Sequence, residues 1–194
     1  MKLATVIQSH RDKMNESLLT AEFKQDNNNV GIDKWFESVL NRLQEIKTKQ
    51  GRLFFIGNGA SSSMSSHFAV DFTKNAGIPS FSNNEGTLLT CFSNDFSYET
   101  AYMEILKRYM KPGDALIAIS SSGKSKNIIN AVDFVRSNFP QNMVIGLSGF
   151  KTNNPLSTAS NYSLYINADE YGFVESGHAY YLHMLIDVFM KEFN

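Results

Sequence analysis

The chain of 194 residues has one cysteine, Cys91, so no internal disulfide can form and no thiolate cluster exists to hold a structural zinc. That scarcity fits a reducing compartment and gives a cytoplasmic expectation. Excess charge of either sign is also missing. Eighteen Lys plus Arg face nineteen Asp plus Glu, a formal net charge of −1, so no global field draws the protein to nucleic acid or to an anionic membrane. No direct nucleic-acid partner is therefore expected. Apolar runs approaching the roughly 18 residues of a membrane span are absent, and the segment from Met1 to His10 turns polar too early for a secretory core. With 42% hydrophobic and 19% charged residues, disorder and fibrous repeats are excluded as well. What remains is an ordinary globular chain, long enough to bury about 70% of its unfolded surface around one core.

Within residues 1–50, Leu3, Ile7, Met14, Leu18 and Leu19, then Trp35, Phe36, Val39, Leu40, Leu43 and Ile46, recur at spacings of three and four. Two amphipathic helices are predicted, joined by the polar run Gln25-Asp26-Asn27-Asn28-Asn29, which reads as a connection without ordered structure. Beyond residue 50 the period changes. Leu53–Ile56, Ala115–Ile119 and Met143–Leu147 are apolar without alternation, as strands buried on both faces of a parallel sheet are, and Tyr162–Ile166 is a weaker fourth. Helical patterns over 62–76, 98–110, 126–138 and 174–192 separate or follow them. The expected fold is α/β: a three-layer αβα sandwich around a mainly parallel sheet, one domain over 1–194, its amino-terminal helices packed on the sheet or on a neighbouring subunit. Ligands of such sheets bind beyond the carboxyl ends of the strands, which places function in the loops after Ile56, Ile119 and Leu147.

Two of those loops have the chemistry of an anion seat. Gly57-Asn58-Gly59-Ala60-Ser61-Ser62-Ser63 combines glycine with a helix start, and Ser120-Ser121-Ser122-Gly123-Lys124-Ser125 offers four hydroxyls and an ammonium before another helix. Helix capping alone would also explain serine-rich turns; two on neighbouring strands favour the anion. Neither a Walker loop nor a complete Gly-x-Gly-x-x-Gly fingerprint is present, so no organic cofactor is expected. Proton-transfer groups are few. His67 and Asp71 stand at i and i+4 of one helix, and Glu175, His178 and His183 lie in the last, largely apolar one. His178 reads as a core histidine.

These segments resemble the SIS, or sugar isomerase, domain, a flavodoxin-like fold. His67-Phe68-Ala69, Asn94-Asp95-Phe96 and the late histidines are similar to the phosphoheptose isomerase branch, whose members interconvert sedoheptulose 7-phosphate and D-glycero-D-manno-heptose 7-phosphate for the heptose of lipopolysaccharide or capsule. The resemblance implies Asp71 as base and His183 as acid/base. It implies substrate contacts at Asn58, Gly59, Ala60, Ser61, Asn94, Asp95, Ser120, Ser121, Ser122, Ser125 and Glu175. Some members hold zinc at the positions of His67, Asp71, Glu175 and His183, and the family forms homotetramers with shared active sites. This chain departs in two places. Asp71 stands where the family has glutamate, and Phe173-Val174-Glu175-Ser176 stands where it has Arg-Ile-Gln-Glu. Two alternatives follow from the same family: a non-catalytic binding or regulatory protein of the replication-initiator-associating type, or an isomerase of another sugar phosphate.

Overall fold

Five-residue apolar runs with no polar alternation pack best in the middle of a parallel sheet, and that is where they lie. A computed structural model describes residues 2–193. Its sheet has seven strands: β1 (Glu22–Gln25), β2 (Asn28–Val30), β3 (Leu53–Gly57), β4 (Ser80–Ser82), β5 (Ala115–Ile119), β6 (Met143–Ser148) and β7 (Tyr162–Tyr165), in the order β2-β1-β7-β6-β5-β3-β4. From β7 to β4 every pairing is parallel, and every residue of β3, β5 and β6 is buried. The helices are α1 (Leu3–Leu19), α2 (Ile32–Thr48), α3 (Ala60–Asp71), α4 (Gly86–Asp95), α5 (Ala101–Tyr109), α6 (Lys126–Asn138), α7 (Pro155–Ala159) and α8 (Tyr171–Phe193). None among the described residues is long and apolar enough to cross a membrane.

Alternate residues of each central strand feed two cores. Leu53, Phe55, Ile117 and Ile145 face α2, α3 and α8, whereas Phe54, Ile56, Leu116, Ala118 and Val144 face α5, α6 and α7. The three-layer α/β expectation holds. The helix expected over 126–138 has those bounds; the one expected over 62–76 is α3 followed by a π-helical turn at Phe72–Ala76, which Gly77 ends at φ 69.

The run Gln25–Asn29 corrects the sequence reading. It is the tip of a hairpin, with Asp26 at φ 48 and Asn27 at φ 65. β1 pairs antiparallel with β2 on one side and with β7 on the other. Asp and Asn tolerate left-handed backbone, so the polar composition that argued against structure is the chemistry of a tight two-residue turn. β4, α4 and α7 were also unpredicted. α4 buries none of its residues and starts where Glu85 accepts from the N–H groups of Thr87 and Leu88; α7 opens with Asn154 as cap and Pro155 behind it.

Candidate active site

The sheet order makes the site. From β3 the chain crosses through α3 to β4 on one side, and from β5 it crosses through α6 to β6 on the other, so a crevice opens between the carboxyl ends of β3 and β5. A cavity of about 300 Å³ occupies it, lined by Asn58, Gly59, Ala60, Ser61, Ile119, Ser120, Ser121, Ser122, Ser125, Tyr171 and Glu175. All the expected residues of both loops are there, together with Glu175 from α8. Lys124 is exposed and is not part of the lining. The only ionisable carboxyl or amine in the wall is therefore an acid, Glu175, and an anion seated here is held by hydroxyls, backbone and helix starts.

Capping does not explain the serines. Gly59, at φ 56, occupies the cap position of α3 with no side chain to offer, and Ser125 at the cap position of α6 makes no capping bond; its Oγ lies 3.2 Å from Ser120 Oγ instead. The serine loop is braced from behind. Ser120 N–H donates to Leu147 O, Gly149 N–H to Ser121 O, and Leu156 N–H to Gly123 O. Gly123, at φ 63, has to be glycine: a Cβ there would sit 1.9 Å from Asn154 Oδ1. The loop after β6 was expected in the site; it supplies no lining residue, but its Gly149 holds Ser121, and its Phe150 packs edge-on against Tyr171 at 4.9 Å.

α3 and α8 pack side by side, which brings together groups 112 positions apart between Asp71 and His183. His67 Nε2 lies 3.3 Å and His183 Nδ1 3.9 Å from the same oxygen, Asp71 Oδ2. One ligand atom from each of the three lies within 4.8 Å of the others, so the set could hold a metal ion. Two imidazoles and a carboxylate are the donor types of a zinc site that keeps a fourth position open. Both histidine side chains are half exposed, at 55% and 53%, and Asp71 is 21% exposed. Glu175, expected as a fourth ligand, is not in this group. It stands eight residues before His183, about 12 Å along the helix, and lines the serine cavity. Asn94 and Asp95 also lie outside that cavity, exposed at the end of α4, where Asn94 Nδ2 donates to Asp95 Oδ1 at 3.0 Å.

His178 is fully buried and hydrogen-bonded through Nε2 to Ser148 O at 3.0 Å. Burial pushes its pKa down from 6.5 to about 4, so it is neutral at physiological pH and serves the core. Three other residues carry no signal in the sequence. Tyr102 Oη donates to Gly57 O, with burial raising its phenol to about 12; Tyr98 and Asn127 bond to Asn58.

A profile of the SIS domain family matches residues 16–149. The phosphoheptose isomerase of Photorhabdus laumondii is 32% identical over 192 residues, 94% of this chain and 95% of that protein. The chain belongs to the phosphoheptose isomerase family of SIS-domain proteins. The Fusobacterium nucleatum phosphoheptose isomerase is 31% identical over 157 residues, 78% of this chain and 79% of its own. Among solved structures, a phosphoheptose isomerase from Neisseria gonorrhoeae superposes with a TM-score of 0.81 at 19% identity, covering 97% of this chain and 99% of that one; at this identity the likeness speaks for the fold. In this phosphoheptose isomerase family member, the serine cavity and the imidazole–carboxylate group share two helices, α3 and α8.

Proposed function

We propose that the protein is an aldose–ketose isomerase that interconverts sedoheptulose 7-phosphate and D-glycero-D-manno-heptose 7-phosphate. The observation that carries this reading is the placing of an anion seat and a proton-transfer group along the same pair of helices: α3 runs from Ser61 in the cavity to His67 and Asp71, and α8 from Glu175 to His183. Ser61 and Asp71 are ten residues apart, about 15 Å along the helix. A separation of that order suits a long sugar chain held by its phosphate at one end and reacting at the other.

Ser61, Ser120, Ser121, Ser122 and Ser125 donate to the phosphate oxygens, and the starts of α3 and α6 add partial positive charge. Asp71 takes a proton from the carbon beside the carbonyl. As that C–H bond breaks, its electrons form the carbon–carbon double bond of an enediol, and the former carbonyl oxygen accepts a proton from His183. His183 then takes the proton of the neighbouring hydroxyl, the double bond collapses to the new carbonyl, and Asp71 returns its proton to the adjacent carbon. An acid and a base held within one contact network suit this shuttle. His67, Asp71 and His183 are the residues that would hold zinc. A zinc ion, when bound, supplies Lewis-acid polarisation of the carbonyl. A cytoplasmic homotetramer, with Asn94 and Asp95 serving a neighbour's site, and a product destined for surface polysaccharide, belong to the same proposal.

The test is incubation with sedoheptulose 7-phosphate in deuterium oxide, followed by NMR. Deuterium entering carbons 1 and 2 is expected. Sugar-phosphate binding without exchange would instead favour the regulatory alternative, and exchange in a hexose or pentose phosphate alone would reassign the substrate.

A further inference from the structure

Beyond the last rung of the ladder, where Gly57 faces Ile119, the two loops of the cavity part, one leading to α3 on one face of the sheet and the other to α6 on the opposite face. Among the described residues, the hydrogen bonds that tie the first loop to the start of α6, directly behind the second loop, come from a single pair of side chains. Asn58 Nδ2 donates to Asn127 Oδ1 at 3.0 Å, and Asn127 Nδ2 donates to Asn58 Oδ1 at 2.9 Å. The second lone pair of Asn58 Oδ1 accepts from Tyr98 Oη at 2.8 Å. Asn127 itself is 2% exposed and lies two residues beyond Ser125, outside the cavity wall.

This arrangement is not what helix stability asks for. The buried face of α6 is otherwise Ile128, Ala131, Val132 and Val135, and a buried amide costs free energy unless every bond is made. The closed amide pair offsets part of that cost, with one donor and one acceptor of Asn127 used, and ties the first loop to the helix that carries the second, which no other hydrogen bond among the described residues does. It also redefines Asn58. The side-chain oxygen of Asn58 is fully used inside the protein, so Asn58 can offer a ligand no acceptor there, only its remaining N–H and its backbone.

We propose that Asn127 is a positioning residue for the phosphate seat: paired with Asn58 and backed by Tyr98, it sets the spacing between the Gly57–Ser61 loop and the Ser120–Ser125 loop, and so governs affinity for the anionic end of the substrate without touching it. This rests on the reading of the serine cavity as the phosphate seat. Donors on two loops reach one anion well only while their separation is held, because hydrogen bonds weaken steeply with misalignment. A grip felt equally by substrate and transition state appears in KM and leaves kcat alone.

The experiment measures inorganic phosphate binding by calorimetry, with kcat and KM for the sugar phosphate, on the wild-type protein and on Asn127→Leu, Tyr98→Phe, Asn58→Ala, Asn127→Ala and the double alanine variant. Asn127→Leu is expected to raise both the phosphate Kd and KM about tenfold, with kcat within about twofold. In the double variant, affinity should fall no further than in Asn58→Ala, the non-additivity of two groups that act as one. Phosphate Kd and KM unchanged in Asn127→Leu, or losses that multiply in the double variant, would overturn the proposal, since a merely structural asparagine lowers the melting temperature and leaves both constants alone. If Asn127→Leu fails to fold, the half-exposed Tyr98→Phe decides: about a threefold rise in both constants is expected, and no rise overturns it. Failure of the wild-type protein to bind phosphate in competition with the sugar phosphate overturns the seat itself and the proposal with it; normal wild-type binding with unaltered variants overturns the positioning role alone.

Discussion

The serine cavity and the imidazole–carboxylate group are built on opposite principles. The cavity has one carboxylate, Glu175, and is otherwise hydroxyls and backbone: Ser61, Ser120 and Ser121 are buried, and their loops are tied to β6, α7 and α6 by backbone and amide bonds. His67, Asp71 and His183 are the reverse. They are titratable, the two imidazoles are half exposed, and what holds them is each other and the ring of Phe68, whose centroid lies 4.8 Å from that of His183. Grip without charge at one end and charge with little enclosure at the other means that binding and chemistry should separate under mutation.

The largest effect expected is from Asp71→Asn, which removes the proposed base but keeps the shape: kcat should fall about a thousandfold while KM stays within a few-fold, measured by steady-state kinetics. A large KM change with little loss of kcat would erase the distinction between the two regions. Ser121→Ala should do the converse, raising KM about tenfold for one lost hydrogen bond to a charged group with kcat nearly unchanged. Glu175→Gln sharpens the boundary. Since Glu175 lies in the cavity wall and not among the three clustered groups, the variant should take up added zinc as the wild-type protein does, read by elemental analysis, and lower KM about threefold by removing a like charge from the proposed anion seat. Loss of metal would move Glu175 into the other region.

The smallest effect at neutral pH belongs to His178. The unfolded chain binds a proton below pH 6.5 that the folded one refuses until about 4. Stability therefore falls as the pH drops through that window, by about 1.4 kcal/mol per unit, and is unaffected by this group above it. His178→Leu should flatten the stability curve between those values in denaturant titrations. Unchanged curvature would mean that another group carries the acid sensitivity.

The parallel core and the two glycine- and serine-rich loops that line the cavity are legible in the sequence because each depends on local composition. Residues 53–57, 115–119 and 143–148 lack alternation and are buried on both faces, and a glycine- or serine-rich run follows the first two. The hairpin is hidden because the polarity of Asp26 and Asn27 suggests a disordered connection, whereas what matters is their tolerance of left-handed backbone. α4 is harder to see because its apolar stripe is short, Leu88, Leu89 and Phe92, and only half-buried against the second core. Within the site, His67 and Asp71 could be paired from their spacing, but the approach of His183 depends on how α3 and α8 pack across the sheet, and the departure of Glu175 from that group follows from eight residues of helix rise. Asn127 could not be recognised at all, since its partner Asn58 is 69 positions away.

The division between grip and chemistry is tested most directly by calorimetric binding of sedoheptulose 7-phosphate to Asp71→Asn. The account predicts a Kd within about threefold of the wild-type value in a protein that no longer exchanges substrate hydrogen with deuterium oxide. Loss of binding together with loss of exchange would contradict it, because the phosphate would then depend on the aspartate at the far end of α3.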